Sequence, residues 1–499
     1  MTAASNPQPE IAWLPEVIYA GNTFASQQAL VCDASGVIVK VVEAAALTNE
    51  KRINLPRRAL LPGMVNAHSH AFQRVLRGRT EYRSAGQRDS FWTWRELMYS
   101  AATRLTPEDV YDASRMAFLE MALSGITAVG EFHYLHHQPD GTPYDDANLL
   151  AEEVIRAAAD VGLRIALLRV AYARSGFEVD PNPRQARFIE SEPEVFLRNL
   201  EELATSVRSP TVREGSASHG DAEVIEPVLP DGRASGTAWI GVAPHSVRAV
   251  PLDYLKEIIA YANERQLKIH MHLAEQPAEV SACVAEHGRT PVALLQTEGL
   301  LSERFTGVHA IHVTPKAIAS FAETGAMVCA CPTTERNLGD GVVPANEYQR
   351  NGVTICLGTD SHTQIDLFED ARELEYHLRL QQLERAVLDD TVALPHLRSQ
   401  GLAQYLFACA TSNGARSIGA PNGTLASGTA ADFFTVDLDD PSIAGASGED
   451  LLPAIVFSSS RAAIREVVIA GKPVVSEGQH LLQEETVDRF NELQKRLWS

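Results

Sequence analysis

His68 and His70 end an apolar run, Pro62-Gly63-Met64-Val65-Asn66-Ala67-His68-Ser69-His70. Their i, i+2 spacing puts two side chains on one face of a strand, where both imidazoles can grip one metal ion. Three further signals close later apolar runs: His270-Met271-His272-Leu273-Ala274-Glu275, Val308-His309-Ala310-Ile311-His312 and Leu357-Gly358-Thr359-Asp360-Ser361. His68, His70, His272 and Asp360 then offer three imidazoles and one carboxylate, a donor set that suits zinc and could also hold iron or manganese. An open position for water exists if Asp360 binds weakly or shares a proton with that water. A divalent ion lowers the pKa of bound water towards roughly 7, and hydrolysis then needs groups that take and deliver protons. Glu275, just beyond a ligand, and His309, ending the next run, are the candidates. His312 is out of phase with His309 on a strand and reads as packing, whereas His245 sits after an apolar run at a comparable position.

These residues need a frame that brings distant run ends together. From about residue 59 to 415, strand-length apolar runs alternate with amphipathic helical stretches. One unit begins at Thr106-Pro107-Glu108-Asp109, where Thr can cap a helix, Pro suits its first turn and the acids suit its dipole. That helix is expected to reach about Leu123 and hand over near Gly125 to the next strand. A further helix, about 147 to 161, stops at Gly162. The spacing predicts eight strands, at 60–67, 126–132, 163–172, 238–244, 267–273, 307–313, 326–331 and 353–358. Eight such units argue for an α/β fold of the (β/α)8 TIM type, with every candidate ligand on the C-terminal rim where such barrels build their sites.

The flanks read differently. Short strand-like runs at 29–32, 37–42, 432–436, 467–470 and 474–475 predict a small β-sandwich made from both chain ends. The expected divisions are 1–58 for its N-terminal part, 59–419 for the barrel, and 420–499 for its C-terminal part with a terminal helix. Residues 209–236, rich in Gly, Ser, Pro and acids, read as a long loop.

Composition narrows the function classes. The chain has 499 residues, 45% hydrophobic and 21% charged, as ordinary globular proteins do. Its net charge of -21 repels nucleic acid and anionic membranes, and no Lys/Arg run offsets it. A small anionic substrate stays compatible if a few pocket arginines override the field locally. The start, Met1-Thr2-Ala3-Ala4-Ser5-Asn6-Pro7, has no basic segment followed by an apolar core, so a cytoplasmic location is expected. Six cysteines without a paired framework read as buried thiols of a reducing compartment.

With its residues so placed, the chain resembles the amidohydrolase superfamily, in particular its mononuclear-metal deaminase branch. The marks are the His68/His70 run, His272 with Glu275, the His309/His312 pair and Gly358-Thr359-Asp360-Ser361. No lysine ends a middle strand as a bridging carbamylated lysine of the two-metal branch would, so the resemblance implies one metal. Within the branch, His68-Ser69-His70-Ala71-Phe72-Gln73-Arg74 and Asp89-Ser90-Phe91-Trp92-Thr93-Trp94-Arg95-Glu96-Leu97-Met98-Tyr99 look like the formimidoylglutamate deiminase family. So do Glu131-Phe132-His133-Tyr134, His245-Ser246-Val247-Arg248-Ala249-Val250 and Asn337-Leu338-Gly339-Asp340-Gly341.

That resemblance implies hydrolysis of N-formimidoyl-L-glutamate to N-formyl-L-glutamate and ammonia in histidine breakdown. It implies Gln73, Arg95, Tyr134, His245 and Arg248 as substrate contacts, with Glu275, His309 and Asp360 dividing the proton transfers. The guanidinium fork suits the two carboxylates of such a substrate. The expected partners are this small anionic, amino-acid-derived substrate and a second copy of the chain in a homodimer. Arg336 stands where the family more often has a small residue, which bears on one pocket wall. The rival readings are a deaminase or chlorohydrolase of an aromatic heterocycle such as guanine or adenosine, and a barrel scaffold that has lost its metal, since fold alone does not imply activity.

Overall fold

The computed structural model describes residues 10–81, 91–177, 179–208, 236–389 and 401–499. All but the last residue of the expected loop at 209–236 lies outside these, as do Asp89 and Ser90. Eight parallel strands pair in sequence order: β1 (Met64–Ser69), β2 (Ile126–His133), β3 (Arg164–Ala171), β4 (Ala238–Pro244), β5 (Ile269–Leu273), β6 (Phe305–His309), β7 (Met327–Ala330) and β8 (Ile355–Leu357). A parallel bridge between Ser69 and Asp360 joins the last strand's end to the first. There the Asp360 N–H donates to the His68 carbonyl (3.0 Å) and the His70 N–H to the Asp360 carbonyl (3.1 Å). The fold is a (β/α)8 TIM-type barrel.

Local chemistry sets these elements as expected. The helix Pro107–Leu123 starts on a reciprocal capping box between Thr106 and Asp109 with Pro at its first turn. The helix Leu149–Val161 ends at Gly162, whose φ of 82° is a left-handed cap that glycine adopts without strain. Most strand ends shift by one or two residues, and two boundaries differ more. The run 60–67 divides at Gly63, because residues through Pro62 belong to the strand Lys51–Pro62 of another sheet. Gly63 N–H donates to the Asp432 carbonyl (3.0 Å), while Met64 N–H donates to that of Gly125 (3.0 Å) at the barrel's base. Both halves of the run are apolar because both are buried, so hydropathy carries no mark of the switch, and the sheet extends past the expected boundary at residue 58. The run 307–313 stops at His309, since His309 and Ala310 have φ of 67° and 49° and turn the chain away.

The remaining strands form one nine-stranded sheet from both chain ends. Lys51–Pro62 runs parallel to Ile11–Ala20 and antiparallel to Phe433–Asp437, and so stitches the two ends together. The sheet curls until the turn at Gly36 meets the turn at Gly471, each hydrogen-bonded to Ala431. Trp13, Leu30, Leu60, Phe433 and Val468 fill the enclosed core. The terminal helix Gln483–Trp498 packs on the barrel helix Pro107–Leu123, with Arg489 on Asp112 (2.7 Å) and Arg115 on Glu485 (2.9 Å). No helix among the described residues is long and apolar enough to cross a membrane.

Barrel and sheet are clamped by a buried bidentate pair. Arg164, at the start of β3, donates from Nε to Asp432 Oδ2 (2.6 Å) and from Nη2 to Oδ1 (3.1 Å), and the two side chains are 4% and 0% exposed. Asp432 Oδ1 also accepts the Ala470 N–H (2.7 Å). Removing one member strands the other as an unpaired buried charge, at a cost of about 3–5 kcal/mol. Arg164→Met should therefore lower the free energy of unfolding, read from denaturant curves, by about that margin, and an unchanged value would show that the pair contributes nothing to stability.

Candidate active site

The C-terminal rim gathers the four ligand-type side chains. His68 Nε2 lies 3.2 Å from His70 Nε2 and 3.1 Å from His272 Nε2, and the last two are 3.3 Å apart. Asp360 Oδ1 lies 3.4 Å from His68 Nε2 and 3.1 Å from His70 Nε2. A tetrahedral zinc ion with bonds of about 2.0–2.1 Å needs donor atoms about 3.3–3.4 Å apart. The spacing of this group fits such an ion, and all four residues are buried.

The far side of two of the three rings fixes the donor tautomer. His70 Nδ1 faces the Phe132 carbonyl (3.0 Å) and His272 Nδ1 that of His245 (3.2 Å), so each Nδ1–H donates to backbone and each Nε2 turns its lone pair inward. Burial depresses the pKa of His68 to about 3 and that of His272 well below the usual imidazole value, which keeps both rings neutral. Burial alone would raise the Asp360 carboxyl, but the closeness of His68 and His70 holds it well below the usual range. Gly358 lets β8 come this close: a Cβ there would lie 2.7 Å from that of His68.

His309 and Glu275 stand beside this group. His309 Nε2 is 3.7 Å from Glu275 Oε1 and 3.8 Å from Asp360 Oδ2, while Nδ1 contacts Glu335 Oε1 (3.2 Å). Burial opposes a charged ring here, yet the carboxylates of Glu275, Glu335 and Asp360 prevail and raise the pKa of His309 to about 10. Burial pushes the Glu275 carboxyl up, partly offset by His309.

The same rim opens on a cavity. Gln73, Arg95, Tyr134, His245 and Arg248 all line it, together with His70, His272, Glu275 and Asp360. Gln73 donates to the Tyr134 hydroxyl (2.7 Å). Arg95 and Arg248 lie over Trp92, at 4.5 and 5.9 Å from its ring centre. Nε and Nη1 of Arg95 and Nε of Arg248 are buried without a hydrogen-bond partner among the described residues. Two cationic groups with unspent donors therefore face the cavity that holds the ligand cluster.

A sequence model of the amidohydrolase family matches residues 59–474. The chain belongs to the amidohydrolase family. It is 35% identical over 460 residues to formimidoylglutamate deiminase of Pseudomonas aeruginosa, covering 92% of this chain and 93% of that one. An amidohydrolase structure from Brucella melitensis superposes with a TM-score of 0.84 at 32% identity, over 99% of this chain and 100% of that one. A zinc-bound adenosine deaminase structure from Xanthomonas campestris, 22% identical, shares the fold with a TM-score of 0.79 over 99% of each chain. This amidohydrolase is a hydrolase acting on C–N bonds.

Several of its site residues escaped the sequence reading. Glu335, which holds His309 and also accepts the Cys331 N–H (2.8 Å), lies in the short helix Pro332–Leu338 and looks in sequence like an ordinary first-turn acid. Arg336 leaves the pocket wall intact, because it turns outward to pair with Glu373 (2.6 Å) and Leu338 lines the cavity instead. His312 donates to the Asp340 carbonyl (2.8 Å), which fits its expected packing role. All six cysteines are buried and unpaired. Because Glu335 is one of the carboxylates that raise the pKa of His309, Glu335→Gln should move the His309 titration downward. An NMR titration of histidine-labelled protein reads this directly, and an unmoved titration would exclude Glu335 as a cause.

Proposed function

We propose that this amidohydrolase is a metal-dependent deiminase that converts N-formimidoyl-L-glutamate and water to N-formyl-L-glutamate and ammonia, with a place in histidine breakdown. The observation that carries the reading is two arginines, Arg95 and Arg248, lining the ligand cluster's cavity with buried N–H donors that have no partner among the described residues. An uncharged heterocycle such as guanine or adenosine would leave the two arginines without an anionic partner, whereas a dicarboxylate supplies one to each. The similarity to the Pseudomonas aeruginosa deiminase supports it.

His68, His70, His272 and Asp360 would hold one divalent ion, zinc by its preference for imidazole and a tetrahedral site. The zinc in the adenosine deaminase of like fold agrees with this choice. When bound, such an ion supplies Lewis acidity that brings the pKa of water towards about 7. The side chains divide the rest. Arg95 and Arg248 bind the substrate carboxylates, and Gln73, Tyr134 and His245 orient the chain between. His309 accepts a proton from the attacking water and steadies the charge that develops on the adduct. Its high pKa reflects three facing carboxylates, and a dication among the ligands opposes that shift. Glu275, whose carboxyl burial pushes up, delivers a proton to the departing nitrogen, while Asp360 passes protons between them.

The test is ammonia release from a panel of formimidoyl-glutamate, formimidoyl-aspartate, guanine and adenosine. Formimidoyl-glutamate should be preferred, and Arg248→Met should weaken its kcat/KM by about 2–5 kcal/mol. A purine preference, or an Arg248→Met variant indifferent to the dicarboxylate, would contradict the reading. Glu275→Gln and His309→Asn should keep the metal and lose roughly 10²-fold or more in kcat. Near-normal turnover in either variant with metal bound would remove that residue from the mechanism.

A further inference from the structure

Gln185 sits in the short helical turn Pro183–Phe188, 1% exposed, and its side-chain amide donates to two phenol oxygens at once: Tyr99 (2.8 Å) and Tyr172 (2.5 Å). Tyr99 belongs to the helix Phe91–Ala102 that carries Arg95, and Tyr172 follows the end of β3. Both tyrosines line the cavity, and Arg248 feels both electrostatically. A phenol carries one proton to donate. With both oxygens already accepting from Gln185, at least one of the two protons has no acceptor among the described residues, even where one hydroxyl donates to the other. The cavity is the open direction.

We infer that Tyr99 and Tyr172, aligned by Gln185, form with Arg95 and Arg248 a carboxylate-binding cluster that selects the acidic substrate. This rests on the proposed function and adds residues to it. Two guanidinium groups alone would accept many anions. A phenol proton fixed between them adds a directional donor that a carboxylate satisfies and an alkyl or aromatic group does not. Gln185 touches no substrate in this scheme and acts as a positioning residue: by occupying the phenol oxygens as a donor it directs the hydroxyl protons outward. The opposite orientation of its amide would draw both protons to itself and leave the tyrosines silent.

The test uses the metal-loaded full chain and three substrates: N-formimidoyl-L-glutamate, N-formimidoyl-4-aminobutyrate, which lacks the α-carboxylate, and N-formimidoyl-L-norvaline, which lacks the side-chain carboxylate. Tyr99→Phe and Tyr172→Phe keep the rings and remove only the hydroxyls. At least one of them should raise KM for formimidoylglutamate about ten- to a hundredfold, the range of a hydrogen bond to a charged group, with kcat little changed. That penalty should persist on one analogue and vanish on the analogue lacking the carboxylate that the phenol proton meets. Gln185→Leu should reproduce the KM rise, and if it fails to fold, the two Phe variants decide. Unchanged KM in both Phe variants, or equal losses on all three substrates, would overturn the inference. A wild-type chain inert toward formimidoylglutamate would instead contradict the proposed function itself.

Discussion

The constraint on which the rest depends is the convergence of three imidazole Nε2 atoms and a carboxylate oxygen at 3.1–3.4 Å in a buried site. Lone pairs packed this closely repel one another, and His70 and His272, whose Nδ1–H groups donate to backbone carbonyls, bring no Nε2 proton to relieve them. A cation relieves the repulsion. The protein must hold the arrangement against it, and closure of the barrel does so. Asn66 Oδ1 accepts the Thr359 N–H (3.0 Å) and its Nδ2 donates to Thr359 Oγ1 (2.7 Å), locking β1 to the chain beyond β8 just behind the ligands. The Asp360 backbone then pairs on both sides with the histidine-bearing end of β1.

Beneath that closure lies a second layer of polar contacts. Ser69, between the two histidines, donates to Glu131 Oε2 (2.5 Å) and contacts His362 Nε2 (3.0 Å), while Glu131 Oε1 accepts the Ala71 N–H (2.7 Å). Burial raises the Glu131 carboxyl to about 7, so this layer is held by a carboxyl group at the edge of ionisation. The turn carrying His70 is thereby fixed from below by a strand neighbour and from the side by Asp360. Rigid strand ends give closer control of donor geometry than loops would. The cavity side is different in kind: Arg95 and Arg248 rest on aromatic faces and keep donors unspent, which suits groups that wait for a ligand.

Much of this was legible in the sequence because it follows short-range rules. A two-residue spacing of His68 and His70 at the end of an apolar run, and Thr106 with Asp109 around Pro107, each encode local geometry. The alternation of runs encodes the barrel. What stayed hidden depends on contacts between distant segments. Gly63 separates two sheets inside one unbroken apolar run, so only partners such as Asp432 and Gly125 reveal the switch. Glu335 gains its meaning from His309 on another strand, and Gln185 from two tyrosines on different elements. Arg336 shows the converse: its charge suggested an altered pocket wall, yet Glu373 draws it outward.

The central claim is that the cluster is a site for one divalent ion. X-ray absorption on protein purified without added metal, paired with elemental analysis, tests it directly. The expected result is close to one equivalent of zinc with nitrogen and oxygen donors at about 2.0–2.1 Å, lost on His272→Ala. Two equivalents of metal, a sulfur donor from Cys331, or full turnover by metal-free protein would contradict the account.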